Sequence, residues 1–182
     1  RSQQAQSGTA RTLLRLLQSA ERLTASALES LLDCPALIKR FTLSPQEIAR
    51  LNRELQRLGF RWGLDGLQRG GDATHSLSWA MDRLLLSLVL PSTPGLALGE
   101  NPPVAPAEAD LPLELLGRWT HLLQRLRHWL RQLAAPRRAA DWIPLLQQLV
   151  GDLFDPSGDN EVEQSVLLTA IADGLEAAGE AE

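Results

Sequence analysis

These 182 residues predict an all-α fold, an irregular helical bundle. Three observations lead there. Leucines recur at three- and four-residue spacing along most of the chain, the period of a helix with one buried face. Ser, Thr, Asp or Asn stands ahead of most of those runs, and Pro or Gly follows several of them, as at helix starts and stops. No stretch alternates apolar and polar residues with period two, so no strand pattern competes. Hydrophobic residues make up 44% of the chain, a globular composition. A chain this long buries roughly 70% of its unfolded surface. A single helical domain over 1–182 is therefore expected.

The first helix is predicted over 11–17, with Leu13, Leu14, Leu16 and Leu17 apolar. Thr24 caps a second over 25–32, whose stripe is Leu28, Leu31 and Leu32, and Pro35 stops it. The third, over 45–58, is marked at both ends. Ser44 is the N-cap, Pro45 takes the first helical position, and Glu47 completes a capping box worth about 1 kcal/mol. Ile48, Leu51, Leu55 and Leu58 form its core stripe, and Gly59 is placed to end it in a left-handed conformation. Residues 64–74 are a glycine-rich turn. Ser76 caps a strongly apolar helix over 77–90, with Leu77, Met81, Leu84, Leu85 and Leu88 on one face. Leu86, Val89 and Leu90 spread its apolar surface almost all round, so it is expected to be central.

Residues 91–109 hold five prolines and two glycines in nineteen positions, which predicts a flexible surface loop. Asp110 caps the longest amphipathic run, over 111–134, with Pro112 in its first turn. Its apolar set runs from Leu115 and Leu116 through Trp119, Leu122, Leu123, Leu126 and Trp129 to Leu130 and Leu133. A helix over 142–154 starts at Asp141, with Pro144 in the first turn, where proline is tolerated. The last, over 161–177, is capped by Asn160 and Glu163 and carries the stripe Val162, Val166, Leu167, Ala170, Ile171 and Leu175.

The net charge of −4 conceals a segregation. Residues 1–63 carry ten basic and five acidic side chains; 115–140 carry six arginines and no acid; 141–182 carry ten acids and neither Lys nor Arg. The polar face of the 111–134 helix presents Arg118, Arg125, Arg127 and Arg131, with His121 and His128, and Arg137 and Arg138 follow. Guanidinium forks suit phosphate and carboxylate alike. This face is therefore a candidate for DNA-backbone contact, for pairing with a protein, the chain's own acidic helices included, or for simple solvation.

Nothing in the sequence points to catalysis. His75, His121 and His128 lack the convergent ligands that zinc requires. The run Asp155, Ser157, Asp159 has Asn160 where a calcium loop needs Gly and Val166 where it needs Glu. There is no P-loop and no GxSxG, and Ser76 beside His75 is adjacency without a triad. No metal, cofactor or small-molecule substrate is expected. Cys34 alone cannot form an internal disulfide, which suits a reducing compartment such as the cytoplasm. No apolar run is long enough to span a membrane. The start, RSQQAQSGTAR, has no signal-peptide character. Residue 1 is Arg, so the chain is expected to be a piece of something longer.

Several strings, in order, resemble the RecC family, the gamma subunits of the bacterial exonuclease V complex RecBCD. They are LLDCPALIKRF (31–41), the capped helix from Ser44, RWGLD (61–65), HSLSWAMDRLLLSLVL (75–90) and DWIPLLQQLVGDLF (141–154). The most specific positions are Arg61, Trp62, Gly63, Asp65, His75, Arg83, Leu85 and Leu86, and the resemblance runs from about Leu13 to Leu175. It implies a fragment of a much larger subunit. The matched region looks like the helical accessory domain inserted in the second motor domain of superfamily-one, UvrD/Rep-like helicases. It further implies a bacterial, cytoplasmic role in double-strand-break repair and recombination, beside RecB-like and RecD-like subunits. No Chi contact is carried onto these residues. Trp62 is expected to be a core anchor, Gly63 to meet a backbone need, and Arg61 to pair with a carboxylate or with DNA backbone. The alternative is a free-standing all-α interaction module docking through the arginine face.

Overall fold

The computed structural model describes residues 2–89, 111–157 and 159–179. Among them the chain is all-helical, and the one extended contact is an isolated antiparallel bridge between Thr24 and Trp62. Eight helices follow in order: α1 (Ser2–Glu21), α2 (Ala25–Leu32), α3 (Pro35–Arg40), α4 (Pro45–Arg57), α5 (Leu77–Val89), α6 (Leu113–Ala134), α7 (Ala139–Leu153) and α8 (Asp159–Gly179). The predicted loop over 91–109 and the Asp110 cap lie outside the described residues.

The core is organised around α6, whose nine apolar positions from Leu115 to Leu133 are all buried. α1, with Leu13, Leu16 and Ala20 buried, lies against α6, α8 packs on α1, and α7 packs on both α6 and α8. On the other flank α2 and α3 rest on α1, α4 on α2, and α5 on α4. Trp119, Phe60 and Phe154 are the largest fully buried side chains.

Several expectations need correction. α1 is much longer than 11–17, because its first turns are polar and show no stripe, and its Leu14 is 55% exposed. Pro35 does not only stop α2. It opens α3 at the first helical position, where its missing N–H costs nothing. α6 begins after Pro112, which is its N-cap residue and not part of its first turn. α7 starts at Ala139, so Pro144 lies beyond the first turn. The carbonyl that Pro144 leaves without a helical donor belongs to Ala140, an exposed residue that water reaches. α8 starts at Asp159, which places Asn160 inside the helix rather than at its cap.

Two expected faces also differ. On α5, Leu85 is 42% exposed, while Ala80 and Ser87 join Leu77, Met81 and Leu84 inside. The central place expected for this helix belongs to α6. On α8, Val162 and Val166 face outward and Ala170 is exposed, while Leu167, Leu168 and Ile171 pack on the core.

Candidate functional site

The polar face of α6 is where sequence-predicted residues from several segments meet. Its first contact is with the α3–α4 turn. Ser44 Oγ accepts from Glu47 N at 3.2 Å, and Ser44 N donates to Glu47 Oε2 at 2.7 Å, closing a capping box at the start of α4. The second oxygen of the same carboxylate accepts from Arg118 Nη2 at 2.8 Å. Arg118 also donates to the carbonyl of Thr42, a residue held at φ 53°, and the Phe41 ring meets the His121 ring edge-on at 5.3 Å. The hydrogen bond from the Ser44 amide, with help from the Arg118 charge, holds the Glu47 carboxyl below its ordinary range against the opposing effect of burial.

A second contact joins the far end of α6 to the RWGLD segment. Arg131 donates to Asp65 Oδ2 through Nε at 3.0 Å and Nη2 at 2.5 Å. Asp65 Oδ1 accepts from the amides of Leu67 (3.0 Å) and Gln68 (3.3 Å), which fixes the turn. Burial pushes the Asp65 carboxyl up, but the Arg131 and amide hydrogen bonds outweigh it and leave it lowered. Gly63 sits at φ 86°, and a Cβ there would stand 2.8 Å from Arg69 Cγ.

Trp62 is only partly buried. The Arg69 and Arg22 guanidiniums lie 4.4 and 5.0 Å from its ring centroid, so cations pack on it where a closed core was expected. The Arg61 side chain is exposed and has no partner among the described residues. Its backbone links His75 and Ala25, through Arg61 N to His75 O and Ala25 N to Arg61 O, both at 2.9 Å. Beside it, His75 Nδ1 lies 2.7 Å from the Gly59 carbonyl, the His75 ring meets Trp79 edge-on, and Arg83 covers Trp79 at 4.4 Å.

The third contact is with the end of α7. Trp129 Nε1 donates to Asp152 Oδ2 at 2.7 Å, and Arg125 approaches the same oxygen at 3.4 Å. The remaining arginines are placed differently. Arg137 donates to the Gln132 carbonyl at the C-terminal end of α6, where a cation is favoured. Arg127 is half-buried and Arg138 exposed, and neither meets a partner among the described residues. Glu47, Asp65 and Asp152 thus divide one face of α6 among three segments. Sequence spacing did not show these pairings. The Lys39–Asp155 bridge at 2.8 Å, which joins α3 to the α7–α8 turn, was equally hidden.

Among the described residues no group of three or more His, Cys, Asp or Glu side chains could hold a metal ion, and no helix is long and apolar enough to cross a membrane. The arrangement is a set of ion-paired fastenings around a central helix.

Comparison with known proteins shows the family. The chain is 29% identical to the RecBCD enzyme subunit RecC of Escherichia coli (strain K12) over 157 residues, which is 80% of this chain and 14% of that protein. The chain therefore spans about a seventh of the length of the curated relative it matches. The family model described as RecBCD enzyme subunit RecC fourth domain matches residues 6–182, so the chain belongs to the family of RecC fourth domains.

Proposed function

We propose that this chain is a non-catalytic accessory domain of a RecC-like subunit, acting within a RecBCD helicase–nuclease in the bacterial cytoplasm to serve double-strand-break repair and recombination. It works by holding a fixed shape against RecB-like and RecD-like subunits, with DNA-backbone contact as its second task, and it needs no cofactor. The observation that carries this reading is the use of the α6 arginines. Arg118, Arg125 and Arg131 each tie a different segment to the central helix through a carboxylate. Such cross-linking fits a part that transmits position between neighbours. The all-helical make-up of the described residues supports likening the unit to the accessory helical domain of superfamily-one, UvrD/Rep-like helicases.

The test uses the full-length subunit with Arg118, Arg125 and Arg131 changed to Glu. Each fastening then becomes a carboxylate facing a carboxylate. We expect loss of co-purification with the RecB-like subunit. Wild-type recovery of the complex, with unchanged unwinding, would refute the scaffold role. Changing Arg127 and Arg138 to Glu addresses the DNA contact separately, because neither side chain meets a partner among the described residues. Assembly should persist, while affinity for duplex DNA falls and its salt dependence becomes shallower.

A further inference from the structure

Between α2, α3 and α4 lies a groove of about 710 Å³, outside every contact described above except the Lys39 bridge at its end. Leu43 and Ile48 are buried in its floor, Ile38 is half-buried, and Ala49 is exposed on its α4 wall. Its two walls carry opposite charge. Glu29 and Asp33 stand one helical turn apart on the α2 wall, and Arg53 stands on the α4 wall with Gln56 beside it. Glu29, Asp33 and Arg53 are exposed, and among the described residues none of the three meets an opposite charge; the fourth charged lining residue, Lys39, is held by Asp155. Elsewhere on this chain opposed charges close on each other, as at Glu47–Arg118 and Asp65–Arg131. Across this groove they stay apart, so a body lying between the walls can neutralise both.

We infer that the groove is a docking site for one amphipathic helix of a protein partner. The helix sets leucine-like side chains at i, i+3 and i+7 on the floor, a basic flank against Glu29 and Asp33, and an acidic flank against Arg53. The volume accommodates several leucine-sized side chains, and a helix laid in a groove between helices presents such side chains along one face. The same charges argue against nucleic acid, because the α2 wall repels phosphate. Charge complementarity also makes the site selective, since a uniformly basic or uniformly acidic helix matches one wall and is repelled by the other. This inference rests on the packing half of the function proposed above and assigns that packing to a surface.

The test measures fluorescence anisotropy of three labelled synthetic helices against the full chain. All share one leucine face; one has a lysine flank and a glutamate flank, one has lysine on both, and one has glutamate on both. The mixed helix should bind saturably below about 1 mM and about tenfold more tightly than either uniform helix. Glu29→Arg with Asp33→Arg should move the preference to the all-glutamate helix, and Arg53→Glu should move it to the all-lysine helix. Ala49→Trp should abolish binding of all three. If that variant unfolds, the charge reversals carry the decision. Equal affinity for the three helices, no saturation, or displacement of the mixed helix by a single-stranded oligonucleotide overturns the inference. Peptide binding is independent of co-purification with a RecB-like subunit, so failure of one reading leaves the other measurable.

Discussion

Replacing Glu47 by Ala tests whether one carboxylate both caps α4 and fastens it to α6. The substitution removes the acceptor for the Ser44 amide, which costs about 0.5–1 kcal/mol. It also removes the pair with Arg118. Those two side chains keep 26% and 30% of their exposure, so solvent screening limits the pair to about 0.5–1 kcal/mol. Together about 1.5 kcal/mol should be lost, above the ±0.5 kcal/mol or so of an ordinary surface change. Urea denaturation followed by circular dichroism reads this as a lower midpoint at unchanged slope. Glu47→Gln should fall between, because an amide oxygen still accepts from Ser44 N but carries no charge. Arg118→Met alone and combined with Glu47→Ala completes a cycle, with an expected coupling of about 0.5–1 kcal/mol. Strict additivity of the two changes, or a Glu47→Ala loss within the surface range, would show that the two helices are not joined through this carboxylate.

At Asp65 the two oxygens have separate tasks, so Asp65→Asn should cost about 0.5–1 kcal/mol and Asp65→Ala about 2 kcal/mol in the same assay, since only Asn keeps an acceptor for the Leu67 and Gln68 amides. Both carboxyls lie below their ordinary values of 4.5 and 3.8, so their stabilisation is complete above those values and fades as pH falls through the lower folded-state values; a melting-temperature profile should drop below about pH 4.5, less steeply in a chain carrying Glu47→Gln and Asp65→Asn. Among the described residues Trp119 Nε1 is buried without a partner whereas Trp129 Nε1 donates to Asp152, so Trp119→Phe should cost at least about 1 kcal/mol less than Trp129→Phe, measured by urea titration of both.

Local signals were legible in the sequence. Ser44, Pro45 and Glu47 sit within four residues, and their pattern marks a helix start with little help from the rest of the chain. Gly59, at φ 93°, ends α4 for reasons its lack of a Cβ already announces. α3 was hidden because proline both ends one helix and begins the next, and a six-residue helix is too short to show a stripe. Apolar residues surround α8, so periodicity does not choose its buried side. The site was half legible. The arginines of α6 were visible as a face, but Glu47 lies 71 residues from Arg118 and Asp65 lies 66 from Arg131. Helical spacing identifies residues that share a face and says nothing about which distant carboxylate arrives there.

Those distant carboxylates alter what the arginine face can do. A guanidinium that grips a carboxylate with the fork it would offer to phosphate is a competed site. If DNA were held by Arg118 and Arg131, binding would first have to displace Glu47 and Asp65. Neutralising the competitors should then help the ligand: Glu47→Gln and Asp65→Asn should raise affinity for duplex DNA while lowering stability. If the backbone contact belongs instead to Arg127 and Arg138, the same two substitutions should lower stability and leave DNA affinity and its salt slope unchanged. Stability and affinity moving in opposite directions would assign the α6 face to DNA and contradict its use as internal fastening alone. Stability moving by itself would confine that face to holding the bundle together.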